Sequence, residues 1–101
     1  MGTPELRAVL ITAFHTQTTP RFDRLRDAVA SDNSDAVEFE AHALKGMCAT
    51  LGAMRCAEVL EHLERLGHEK RLAPAAYKLQ RAEAELQRAR ELLSQDRAQA
   101  A

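Results

Sequence analysis

Apolar residues in this chain recur at spacings of three and four over four successive stretches, separated by short breaker segments. That period belongs to helices with one buried face and excludes the strict alternation of a half-buried strand. The first stretch carries Leu6, Leu10, Ala13 and Phe14, then resumes beyond Pro20 with Phe22, Leu25, Ala28 and Val29. The second carries Val37, Ala41, Leu44, Cys48 and Leu51, and the third Cys56, Val59, Leu60, Leu63 and Leu66. The fourth carries Leu79, Ala82, Leu86, Ala89 and Leu93. With only 4 glycines and 3 prolines in 101 residues, little interrupts these helices.

The breakers set the boundaries. Thr3 can cap a first helix, with Pro4 at its first position and Glu5 complementing its dipole. That helix is predicted over about residues 4 to 31, long and kinked near Pro20, or else split there into two shorter helices. Asn33 is a suitable N-cap for a second helix that runs to about Thr50, where Gly52 supplies a left-handed stop. A third helix follows from about Met54 to Leu66, with Gly67 ending it, and a fourth runs from Pro74 to about Gln95, leaving a frayed tail. Short connections make neighbours antiparallel, so the expected fold is all-α, an up-down four-helix bundle over a single domain, residues 1–101.

Charge narrows the function. The balance of 14 Lys and Arg against 15 Asp and Glu gives a formal charge of −1 and no basic field for nucleic acid or an anionic membrane. No apolar run reaches the ~20 residues that span a bilayer, and the first residues lack a signal peptide's apolar centre. A cytoplasmic setting is expected. Cys48 and Cys56 then read as free, buried thiols on apolar stripes.

The second helix carries the chemistry. At about 100° per residue, Val37, Ala41, Leu44, Cys48 and Leu51 share an arc roughly 80° wide, and His42 lies about 140° from its middle. His42 therefore points to solvent. Lys45 and Gly46 follow at three and four residues, on the same side of the helix. Phe39 is a second exposed ring nearby. Glu38, one turn before His42, either accepts a hydrogen bond from a ring nitrogen and sets the tautomer or is a plain surface carboxylate. Gly46 costs helix stability, so its missing side chain serves either a partner's approach or close helix packing.

The run His42, Leu44, Lys45, Gly46, then Leu51-Gly52-Ala53 and later Leu63-Glu64, resembles the histidine-containing phosphotransfer (HPt) domain of bacterial phosphorelays. Met47 and Cys48 depart from it, standing where that family often carries serine or alanine. The resemblance implies that His42 takes a phosphoryl group from one receiver-domain aspartate and passes it to another. It implies Lys45 as the counter-charge to the phosphoryl oxygens, Gly46 as clearance for the receiver, and Phe39, Glu38 and Ala49 as partner-binding positions. The expected partners are response-regulator receiver domains and a hybrid sensor kinase. The chain would act as a monomeric carrier without kinase activity, with no bound cofactor or metal and with magnesium on the receiver.

Two other readings fit parts of the sequence. A helical interaction module could use Phe39 without phosphoryl chemistry. A metal-binding bundle could use His62, His68 and neighbouring Glu61 or Glu64, since His and carboxylate on adjacent turns can chelate.

Overall fold

Three turns separate four helices in the computed structural model, which describes residues 3–100 and the side chains as far as residue 95. The elements are α1 (Pro4–Ala30), α2 (Ser34–Thr50), α3 (Met54–His68) and α4 (Ala75–Ala100). They pack in a ring, α1 on α2, α2 on α3, α3 on α4 and α4 back on α1, with α2 and α3 the most intimate pair. Among the described residues there is no strand.

The predicted caps form. Thr3 accepts from Leu6 N at 3.1 Å, and Asn33 accepts from Ala36 N at 3.1 Å. Three helices end on a left-handed residue, which lets the following amide reach back: Asp32 (φ 57°) after α1, Gly52 (φ 78°) after α2 and Lys70 (φ 57°) after α3. The third differs from the expectation, because Gly67 does not end α3. It is buried where α3 crosses the start of α2, and a Cβ there would stand 2.7 Å from both Glu38 N and Ser34 O. Backbone contact, not chain reversal, explains this glycine.

α1 passes through Pro20 as one helix rather than two. Proline removes one amide donor, and the threonines before it turn inward on the carbonyls. Thr18 Oγ1 donates to Phe14 O at 2.7 Å and Thr19 Oγ1 to His15 O at 3.2 Å. Arg90 of α4 then donates to both hydroxyls, at 2.8 and 2.9 Å, tying α4 to this part of α1.

The core is continuous and mostly aliphatic, with two phenylalanines from α1. Ile11, Phe14, Phe22 and Leu25 of α1 meet Val37, Ala41, Leu44 and Cys48 of α2, Cys56, Leu60 and Leu63 of α3, and Ala82, Leu86 and Leu93 of α4. Both cysteines are buried and free. The first turns of α1 do not join this core: Leu6, 51% exposed, and Leu10 were expected in the inner stripe and stand in solvent. The cause is length. α1 and α4 have 27 and 26 residues against 17 and 15 in α2 and α3, so at 1.5 Å per residue the outer pair extends about 15 Å past the hairpin.

Candidate functional site

α2 presents opposite faces to two worlds. Its apolar arc is fully buried, and on the other side Phe39, His42, Gly46 and Ala49, at steps of three and four, form one exposed ridge. The His42 side chain is 68% exposed. Nothing in the protein lies within 4 Å of where a Gly46 Cβ would be, so close helix packing does not account for that glycine. The space it leaves opens outward, one turn from the histidine.

The flank of the ridge faces α3 and is charged. Glu64 of α3 reaches across: its Oε2 lies 2.9 Å from His42 Nδ1, and its Oε1 pairs with Lys45 Nζ at 2.7 Å. Glu64 thus joins the histidine and the lysine through one carboxylate. Burial acts to raise the Glu64 carboxyl, but hydrogen bonds from Lys45 and His42 outweigh it and hold the group below its ordinary range. Its hydrogen bond with Glu64 in turn raises the Lys45 ammonium, against a smaller opposing desolvation. An ionised Glu64 can only accept, so Nδ1 carries the proton and the Nε2 lone pair is left free at the exposed edge of the ring.

This corrects one reading and supplies a residue that pattern analysis left without a role. Glu38 does not hold His42; its Oε2 meets Nδ1 of His68 on α3 at 3.0 Å. Glu38 still lines a shallow depression with Asp35, Phe39, His42 and Glu64 beside the ridge. The tautomer partner comes from the neighbouring helix because antiparallel packing about the Gly52 turn sets the middle of α2 against the second half of α3. The residues of a metal-binding reading are dispersed: Glu64 serves His42 and Lys45, His68 pairs with Glu38, and His62 lies 3.4 Å from Lys78 Nζ. Among the described residues no three His, Cys, Asp or Glu side chains gather as a metal-binding group.

On the opposite flank Glu40, almost fully buried, takes Arg21 Nη1 at 3.1 Å and Arg24 Nε at 3.2 Å from α1. With its two sides fastened to α1 and α3, α2 holds the ridge rigidly toward solvent.

An exposed imidazole held by a carboxylate, with a cation and an open position beside it, suits a carrier that meets its partners at the surface. The sequence model of the Hpt domain matches residues 9–99, and the chain belongs to the Hpt domain family. Its function is accordingly that of a histidine phosphotransfer intermediate in a phosphorelay, a carrier that works with receiver domains. Among solved structures it is similar to histidine-containing phosphotransfer protein B from Pseudomonas aeruginosa PAO1. That match has a TM-score of 0.86 and 26% identity, and covers 90% of this chain and 79% of the other. No curated protein sequence matches the chain. Among the described residues no helix is long and apolar enough to cross a membrane.

Proposed function

We propose that His42 is the phosphoacceptor and that Nε2 is the atom that carries the phosphoryl group. The supporting observation is the Glu64 bridge, which accepts from Nδ1–H and leaves a nucleophilic nitrogen at the solvent edge. In the forward step the Nε2 lone pair attacks the phosphorus of a receiver's aspartyl phosphate. The N–P bond forms as the P–O bond to the aspartate breaks, and the aspartate leaves as a carboxylate. The ring becomes cationic, and the Glu64 carboxylate on Nδ1–H offsets that charge. Passing the group on is the same step in reverse with a second receiver.

Lys45 stays charged and sits one turn from the ring, where it can swing from Glu64 toward the phosphoryl oxygens. Gly46 and Ala49 leave room for the receiver's loops, and Phe39 gives them an apolar contact. Glu38, fixed by His68, shapes the border of the docking face. The magnesium of the reaction belongs to the receiver's acidic pocket, and a hybrid sensor kinase is the expected source of the phosphoryl group. The chain has no kinase activity of its own in this reading, works in the cytoplasm, and needs one copy to complete a site.

The test is direct. Incubation with a phosphorylated receiver domain should give an acid-labile, base-stable phosphoprotein, and His42→Gln should remove the label while keeping the helical circular dichroism. Label persisting in that variant moves the site elsewhere. A wild-type protein left unlabelled by receivers that still bind it would favour the interaction-module reading.

A further inference from the structure

α2 and α3 meet through a pair of thiols. The chain has two cysteines, and they stand four residues before and four after Gly52, the left-handed residue at which α2 gives way to α3. Antiparallel packing about that turn brings them together. Cys48 is 0% exposed and Cys56 1%, and the two thiols are hydrogen-bonded to each other. The phosphoryl site uses neither, since both belong to the core while the ridge of Phe39, His42, Gly46 and Ala49 faces solvent.

Their surroundings are more polar than the rest of the core. Cys56 Sγ also donates to Ala82 O of α4 at 3.7 Å. Arg90 of α4, bonded to the buried Thr18 of α1, has its Nε shut off from solvent without a hydrogen-bond partner. The hydrogen bond with Cys56 holds the Cys48 thiol below its ordinary range, against burial and with the Arg90 charge assisting. The same hydrogen bond, and then burial, pushes the Cys56 thiol up. One sulfur is therefore the easier to ionise while the other keeps its proton. The pair also has an approach: Cys56 lines a groove of about 350 Å³ beside the Gly52 turn, with Leu51, Met54, Ala89 and Leu93. Met54, 61% exposed, marks its mouth.

We propose that Cys48 and Cys56 are a redox modification site, which hydrogen peroxide converts to an intramolecular disulfide that staples α2 to α3. The Cys48 thiolate attacks one oxygen of the peroxide. The S–O bond forms as the O–O bond breaks, and the departing hydroxide becomes water with the proton that Cys48 gave up. Cys56 then attacks the sulfenic sulfur of Cys48. The S–S bond forms, the S–O bond breaks, and the leaving hydroxide takes the Cys56 proton as a second water. Two electrons pass from the two sulfurs to the peroxide. Sulfurs already in hydrogen-bond contact have little distance to close to a bond of about 2.05 Å. In a reducing compartment such bonds are transient and serve redox sensing. Cys48 is six positions after His42 on α2, and Cys56 eight before Glu64 on α3, so the staple fixes the two helices that carry the imidazole and its carboxylate.

Peroxide titration of the intact reduced chain, followed by denaturation and maleimide labelling, tests this without a receiver or His42. Both thiols should disappear together, the intact mass should fall by two hydrogens, and dithiothreitol should restore both. Trypsin cuts after Arg55 and separates the cysteines, so the non-reduced digest should contain Gly46–Arg55 joined to Cys56–Arg65. The oxidised chain should unfold at higher denaturant, its unfolding constant smaller by on the order of tenfold or more, because the closed loop restrains the unfolded chain. Cys48→Ala and Cys56→Ala should each abolish the linked peptide and keep one thiol open to maleimide. Exposed Met54 gains an oxygen under peroxide and so reports the dose received. Two thiols that stay open to maleimide at doses that oxidise Met54 overturn the proposal. So does a cross-link between chains in place of one within a chain, or a sulfinic acid on one cysteine with the other still free.

Discussion

α2 carries two clusters of the same design, one on each flank, and they do different things. Toward α1, Glu40 is buried between Arg21 and Arg24; toward α3, Glu64 stands between His42 and Lys45 with its side chain 22% exposed. In each a carboxylate from one helix draws in two nitrogen groups from its neighbour. The first has arginines, whose charge is permanent, and a carboxylate shut off from solvent, so it is a fastener. In the second, one of the two cations is replaced by an imidazole that can be neutral, nucleophilic and exposed. Permanent charge and burial give a lock, whereas a titratable ring at the surface gives a reactive centre held in register by the same geometry.

The sharpest way to break this contrast is His42→Gln, which should reduce phosphoryl acceptance to background while Tm stays near the wild-type value. Next is Glu64→Gln. Glutamine keeps an amide oxygen but loses the negative charge and can turn its NH2 to the ring, so the tautomer is no longer fixed and the ring cation no longer offset, and the transfer rate should fall about tenfold or more, some 1.4 kcal/mol per decade. Unchanged kinetics in Glu64→Gln would mean that the bridge is only another fastener. Glu40→Ala should do the opposite, costing about 1–3 kcal/mol of stability in a denaturant titration and leaving the transfer rate within about twofold.

The two helix glycines extend the comparison. Gly67→Ala drives a methyl into the α2 backbone and should destabilise by about 1–3 kcal/mol. Gly46→Ala meets nothing and should stabilise by about 0.5–1 kcal/mol, while a bulkier residue there weakens receiver docking. The smallest effect concerns acid. Because its folded-state value is depressed, Glu64 contributes stability that is fully present above its unfolded value of about 4.3 and is lost as pH falls through the lower folded value. The Tm difference between wild type and Glu64→Gln should accordingly shrink below about pH 4.

Much of the site was legible beforehand because it lies on one helix. A periodicity of 3.6 is enough to set His42, Gly46, Phe39 and Ala49 opposite Val37, Ala41, Leu44 and Cys48. Glu64 was visible as part of a Leu-Glu motif, but its role was not. Reflection of α2 onto α3 about the Gly52 turn would have pointed to it, since His42 is ten residues before the turn and Glu64 twelve after. Helix phase within α3 decides which carboxylate on that segment arrives. Glu38, open from the sequence to either a tautomer-setting role or that of a plain surface carboxylate, pairs instead with His68, which packing brought to it.

By itself the sequence determined four helices, the capping of α1 and α2 by Thr3 and Asn33, the inner arcs of α2 and α3 and the outward histidine. All of these are local or periodic properties that each segment expresses alone. Only the tertiary structure decided which carboxylate holds Nδ1, that Gly67 serves a helix crossing, and that Leu6 and Leu10 lie beyond the hairpin's reach. Those depend on relative lengths, phases and approach distances of separate helices, which no single segment encodes.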